Sequence, residues 1–249
     1  MDQSAPLLEL DRVFAGYGKM TILNGTSARV GRGAITTVIG PNGAGKSTMF
    51  KTIFGLLPVR SGSIAFDGRD ITGFSPRQML DAGMVYVPQG RNIFPELSVR
   101  HNLELGGAAM SDQARLPGRL DTIMQRFPVL KEKADAQAST LSGGQQKMLE
   151  LARGLLLEPK LMLIDEPSIG LSPLLVEQVF MLLKELRDKG VTILLIEQNA
   201  RQALQISDYG LVLEQGQARV EDTAASILAD PRIAQLFLGG GMAAAERVS

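Results

Sequence analysis

With 249 residues, 45% apolar and 21% charged, the chain can build one or two self-supporting domains, and neither wholesale disorder nor a collagen repeat fits. Its 26 Lys+Arg balance 26 Asp+Glu, which leaves no net-charge footprint for nucleic acid, and the absence of Cys excludes disulfide scaffolds, cysteine-ligated zinc and thiol nucleophiles. The longest uncharged stretches, 33–45 and 233–245, are 13 residues each, short of the roughly 20 that a membrane span needs, so a membrane role is expected only through a partner.

The opening residues, Met1 to Pro6, lack the basic and apolar regions of a secretory signal. Leu7–Phe14, Ile22–Val30 and Ser63–Phe66 are β-rich and broken by glycine, and Asp67-Gly68 is a turn signal. Ile35–Ile39 is continuously apolar or Thr, as a buried parallel strand should be. A glycine loop follows, then a helical pattern over Lys46–Leu57. The middle third is helical: Ser98 caps a helix through Leu105, Asp112–Phe127 forms another, and Ser142 caps a third running to about Leu157. The last third alternates, with strands Leu161–Ile164 and Val191–Ile196, helices Pro173–Arg187 and Asn199–Ile206, and a hairpin of Gly210–Glu214 with Gln217–Val220 around Gly216. That rhythm implies a parallel sheet with covering helices. The expected fold is an α/β nucleotide-binding core with an N-terminal antiparallel β subdomain and an inserted α-helical subdomain.

Gly40-Pro41-Asn42-Gly43-Ala44-Gly45-Lys46-Ser47-Thr48 fits the phosphate-loop pattern G-x-x-x-x-G-K-[ST], with a strand before it and a helix after it. The glycines let backbone N–H groups close around phosphate oxygens, and the helix start adds its positive dipole end. Lys46 is placed to reach the β- and γ-phosphates and Ser47 to ligate Mg²⁺. Leu161–Ile164 then ends in two carboxylates, Asp165 and Glu166. Asp165 is placed to hold Mg²⁺, and Glu166 to orient or deprotonate an attacking water. Between these motifs stands Leu141-Ser142-Gly143-Gly144-Gln145, where two glycines bare a second helix N-terminus. One chain has no need of two phosphate-binding surfaces for one γ-phosphate. A head-to-tail pair of subunits uses both.

These motifs together resemble the ATP-binding subunit of an ATP-binding-cassette (ABC) transporter, over roughly residues 7–240. The resemblance implies one ABC ATPase domain over 1–238, a helical subdomain at about 90–157 and a flexible tail at 239–249. It matches Tyr17 to the aromatic that stacks on adenine, and Gln89, in Val87-Pro88-Gln89-Gly90-Arg91, to the glutamine that touches Mg²⁺ and the attacking water. Ser168-Ile169-Gly170 matches the loop that crosses the dimer interface. The implied ligands are ATP and Mg²⁺. Glu166, Lys46, Gln89 and Gln198 are the implied catalytic groups, and Ser47, Gln89 and Asp165 the metal ligands. Tyr17, Gly40–Thr48 and Ser142, Gly143, Gly144 and Gln145 would contact nucleotide.

Most members carry a switch histidine where this chain has Gln198, in Ile196-Glu197-Gln198-Asn199. A glutamine amide can donate to a γ-phosphate but carries no charge. The only histidine, His101, is expected to be a surface or cap residue. Glu197-Gln198-Asn199-Ala200 and Pro167–Ser172 resemble the branch that serves branched-chain amino-acid importers and relatives for urea, amides and other amino acids. That resemblance implies a heterodimer with a paralogous ATPase, two membrane permeases and, indirectly, a solute-binding protein. The implied location is the cytoplasmic face of the inner membrane. A weakly hydrolysing regulatory subunit is the alternative role.

Overall fold

The computed structural model describes residues 5–237; the tail expected over 239–249 lies outside them. Ten strands are present among these residues: β1 (Leu8–Tyr17), β2 (Met20–Val30), β3 (Ile35–Ile39), β4 (Val59–Phe66), β5 (Arg69–Asp70), β6 (Met84–Val87), β7 (Leu161–Asp165), β8 (Thr192–Ile196), β9 (Tyr209–Glu214) and β10 (Gln217–Thr223). Ten α-helices accompany them: α1 (Lys46–Ile53), α2 (Pro76–Ala82), α3 (Val99–Gly107), α4 (Leu116–Arg126), α5 (Pro128–Glu132), α6 (Gly143–Leu155), α7 (Pro173–Asp188), α8 (Ala200–Gln205), α9 (Ala224–Ala229) and α10 (Pro231–Phe237).

The strands form two sheets. An antiparallel sheet has the order β2-β1-β4-β5, and a six-stranded sheet the order β10-β9-β3-β8-β7-β6. In the larger sheet every neighbouring pair from β9 to β6 is parallel, and only β10 runs against β9. This is the expected architecture: a parallel core, a β subdomain in front and helices α3–α6 between β6 and β7.

Every residue of β3, β7 and β8 is buried. Alternate residues of a strand face opposite sides of the sheet. Leu161 and Leu163 with Leu194 and Ile196 pack into one cluster that contains Met49, Phe50 and Ile53 of α1 and Leu8, Leu10 and Leu23 of the antiparallel sheet. Met162 and Ile164 with Ile193 and Leu195 pack on the other side against α6 and α7, through Leu149, Leu155, Val179 and Leu183. The continuous apolar runs that mark these strands in the sequence are therefore a consequence of helices covering both faces.

Several expected elements change length. The helix expected over Lys46–Leu57 stops at Ile53, because Gly55 turns the chain in the left-handed region (φ +75°). The helix expected over Asp112–Phe127 opens as a 3₁₀ turn over 113–115 and becomes α-helical only at Leu116, next to Pro117. Pro128 then starts α5 as a separate turn, since proline cannot continue the hydrogen-bonding of the preceding helix. Strands β5 and β6 and helices α2, α5, α9 and α10 were not anticipated as elements; most are too short to show a period.

The two sheets meet at Gly216, in the β9–β10 turn. Its N–H donates to the Ala44 carbonyl (2.9 Å), and its carbonyl accepts from Asn24 N (2.8 Å) and Thr26 Oγ1 (2.6 Å). One residue thus joins the antiparallel sheet, the parallel sheet and the Gly40–Thr48 loop. It has φ +72°, and a Cβ there would lie 1.8 Å from the Ile22 carbonyl oxygen. Gly190, at φ +88°, has open space instead. Gly216→Ala is expected to lower stability by about 3 kcal/mol or more, against about 1 kcal/mol for Gly190→Ala, in urea unfolding. Equal losses would show that strain alone, without the backbone clash, sets the effect.

Candidate active site

Because β3, β8, β7 and β6 are adjacent and parallel, their carboxyl ends line one edge. Each runs into a segment singled out in the sequence: Gly40–Thr48 after β3, Gln198 after β8, Asp165 and Glu166 at the end of β7, and Gln89 after β6. Ligands of open α/β sheets sit beyond such carboxyl ends.

The loop over 40–48 is tightly seated. Gly40 has φ +153°, and a Cβ on it would meet the Leu213 carbonyl oxygen at 2.0 Å. Lys46 Nζ donates to the carbonyls of Gly40 (2.8 Å) and Pro41 (3.0 Å), curling its ammonium back over the loop. Burial pushes that ammonium's pKa down, against the pull of Glu166 and Asp165. No side chain caps the N-terminus of α1, so its first amides remain available to an anion.

Asp165 is 2% exposed. Its Oδ2 accepts from the Tyr86 hydroxyl (3.3 Å), and its Oδ1 is buried without a partner. Burial pushes the carboxyl up, while the Ser47 and Tyr86 hydroxyls and the charges of Lys51 and Lys46 pull it down. Glu166 is half-buried and sits in the left-handed region (φ +48°), a conformation uncommon outside glycine. Its N–H donates to the Ile196 carbonyl (2.9 Å), and its carboxylate accepts from Gln89 Nε2 (2.8 Å). Burial and the Asp165 charge push Glu166 up, and Lys46 pulls it down. Two carboxylates, Lys46 and a glutamine thus converge, with the Lys51 charge also acting on Asp165.

This donor set fits a divalent cation that arrives with a nucleotide. Mg²⁺ prefers oxygen ligands and keeps few protein carboxylates. The unpartnered Oδ1 of Asp165, the Ser47 hydroxyl and the Gln89 carboxamide supply such oxygens. No cluster of three His, Cys, Asp or Glu exists among the described residues, so a dedicated protein cage is absent and phosphate and water oxygens would complete the shell.

Tyr17 ends β1 and is 45% exposed. Lys51 of α1 lies 5.9 Å from its ring centre and 3.5 Å from its hydroxyl, which sets the ring beside the helix that follows the phosphate loop. Gln198 is exposed and its side chain makes none of the observed hydrogen bonds. His101 is exposed beside its helix cap, Ser98, as expected.

Among the described residues none of the observed side-chain hydrogen bonds of Ser142 or Gln145 reaches the phosphate loop. Ser142 and Gln145 form a reciprocal cap, Lys133 donates to Gln145 Oε1 (3.3 Å), and Gly144 makes room for Leu175, whose Cδ2 would lie 2.5 Å from a Cβ there. Side-chain hydrogen bonds of Ser142 and Gln145 stay within residues 133–145.

One residue was missed. Glu197 is 2% exposed, and its carboxylate accepts from Ser168 N (2.9 Å), Ser168 Oγ (2.6 Å) and Gln198 N (3.2 Å). Burial pushes its pKa up, and those three donors oppose the shift. It fastens the loop after β7 to the loop after β8. The sequence signal was available: a carboxylate directly after the apolar run Ile193–Ile196, the same arrangement that marks Asp165.

Residues 23–169, more than half of the chain, match the ABC transporter family. The chain belongs to that family. It is 41% identical over 234 residues to "High-affinity branched-chain amino acid transport ATP-binding protein BraG" of Pseudomonas aeruginosa, covering 94% of this chain and 100% of BraG. It is 37% identical to "Probable branched-chain amino acid transport ATP-binding protein LivF" of Archaeoglobus fulgidus, covering 94% and 99%. A solved ATP-binding cassette of an ABC transporter, in its ADP conformation, superposes with TM-score 0.83 at 29% identity, covering 94% of this chain and 98% of that one. This ABC protein is a nucleotide-binding ATPase whose hydrolysis is coupled to transport.

Removing the Lys46 ammonium, as in Lys46→Ala, is expected to weaken Mg–ATP binding by about 100-fold, or about 2.7 kcal/mol, in calorimetric titration. Unchanged affinity would place the nucleotide elsewhere. Gln198→His is expected to hold or raise turnover, while Gln198→Ala should lower it by about 10-fold or more; a collapse in the His variant would mean that the carboxamide itself is required.

Proposed function

We propose that this chain is the ATP-hydrolysing subunit of an importer for branched-chain amino acids. The observation that carries this reading is the 41% identity to BraG across that relative's whole length. Glu197-Gln198-Asn199, standing where most of the family has a switch histidine, supports the same branch.

In this reading residues 1–238 are one cassette with a helical insert at about 90–157. The nucleotide's phosphates lie in the Gly40–Thr48 loop, its adenine against Tyr17, and Lys46 neutralises phosphate charge. Mg²⁺, held by Ser47, Gln89 and Asp165, would supply charge neutralisation on the phosphate oxygens. Glu166 aligns the attacking water and takes its proton as the γ-phosphoryl bond to ADP breaks. Gln89 holds Glu166 through the 2.8 Å bond, and the raised Glu166 pKa suits a base. Gln198 donates an amide N–H to the γ-phosphate.

Ser142, Gly143 and Gly144 would complete the neighbouring subunit's site, and the side-chain hydrogen bonds of Ser142 and Gln145, which stay within residues 133–145, support that reading. The partner is a paralogous ATPase. Among the described residues no helix is long and apolar enough to cross a membrane. Attachment to the cytoplasmic face of the inner membrane would run through two permeases, with a solute-binding protein engaged indirectly. Exposed Leu105 lines a groove together with Val87, Pro88, Ala109 and Leu157, a surface suited to a permease helix.

The chain, tagged and recovered from gently solubilised membranes of its source, should bring two permeases and a second ABC ATPase; a soluble chain without membrane companions would overturn the transport reading. In that complex Glu166→Gln is expected to keep ATP bound and to lower turnover by about 1,000-fold. Unaltered turnover would remove Glu166 from its role.

A further inference from the structure

The loop that carries Gln89 is gripped by one side of α6. Lys147, Glu150 and Arg153 recur at three-residue spacing, so they lie along one flank of that helix. Lys147 Nζ donates to the Gly90 carbonyl (3.0 Å) and to Glu150 Oε2 (2.5 Å). Glu150 Oε1 accepts from the Asn92 N–H (2.6 Å). Arg153 donates to the Asn92 carbonyl, and its guanidinium stands 5.1 Å from the centre of the Phe94 ring. Asn92 also closes the loop on itself, through Nδ2 to the Pro88 carbonyl (3.0 Å). Lys147 and Glu150 are each 5% exposed.

A buried ion pair used only for stability is better replaced by apolar side chains of similar size. This pair does more than neutralise itself, because each charge also holds a backbone group of the Gln89 loop. The same helix begins at Ser142. We propose that Lys147 and Glu150 are positioning residues that lock the Gln89 loop to α6, so that Gln89, and Glu166 through it, move together with the Ser142–Gly144 helix start. Occupancy of that helix start is then transmitted through α6 to the Gln89–Glu166 bond. The inference rests on the roles given above to Gln89 and Glu166.

The test compares Lys147→Met/Glu150→Leu with wild type as full-length chains in the complex recovered from membranes. Removing both charges together avoids a lone buried charge and preserves volume, so the fold is expected to persist. Amide exchange over 89–94 should accelerate by about 10-fold or more. The kcat for ATP should fall by about 10-fold while KM stays within about 3-fold, because the interaction acts on positioning rather than on nucleotide binding.

Unchanged exchange in the double variant would show that the side chains do not hold the loop. Faster exchange with full kcat would show that holding it does not matter. Parallel losses in kcat, affinity and unfolding temperature would reduce the pair to a structural one. Each result overturns the proposal. Gln89→Ala, assayed alongside, separates the two levels: full turnover there sinks the role of Gln89 itself, whereas low turnover there with full turnover in the double variant sinks the lock alone.

Discussion

The site depends on the parallel alignment of β3, β8, β7 and β6. Their register, with Val38 opposite Ile196 and Asp165 opposite the same residue, fixes which ends are level. A parallel sheet must be covered on both faces, and that covering makes β3, β7 and β8 fully buried. A one-residue slip of β7 would exchange the faces of Leu163 and Ile164 and carry Asp165 away from Ser47 and Tyr86. The packing of α1 on one face and α6 and α7 on the other therefore determines the chemistry at the edge.

At that edge negative charge is concentrated. Asp165 has a buried oxygen without a partner, Glu166 is held in an uncommon backbone conformation, and both carboxyls are pushed up. Lys46 meanwhile spends its hydrogen bonds on the carbonyls of its own loop. Such an arrangement is unfavourable by itself and becomes favourable when a polyphosphate with its cation enters. Strain and unsatisfied groups of this kind are expected at sites where ligand binding supplies the missing partners.

Much of this was legible in the sequence because the decisive signals are local. Gly40–Ser47 is a contiguous loop pattern, Asp165 and Glu166 directly follow a four-residue apolar run, and Ser142 with Gln145 forms a cap that any helix start of that composition would make. Strand β6 was missed because its signal is not local: it has four residues and takes its identity from pairing with β7. Helices α2 and α9 do carry local signals, a Ser75–Gln78 capping box with Pro76 at the first helical position and a Thr223 cap, but at seven and six residues they are too short to show a period. The Lys147–Glu150 pair escaped because ordinary helix residues acquire meaning only when Gly90 and Asn92, from elsewhere in the chain, come to lie against them.

The most direct measurement is the structure of the full chain with ADP and Mg²⁺. The account predicts the diphosphate wrapped by the amides of 42–47, the purine against Tyr17, and the metal coordinated by the Ser47 hydroxyl with Asp165 beside it. A nucleotide bound away from the carboxyl ends of β3 and β7, or a metal that neither Ser47 nor Asp165 approaches, would contradict it.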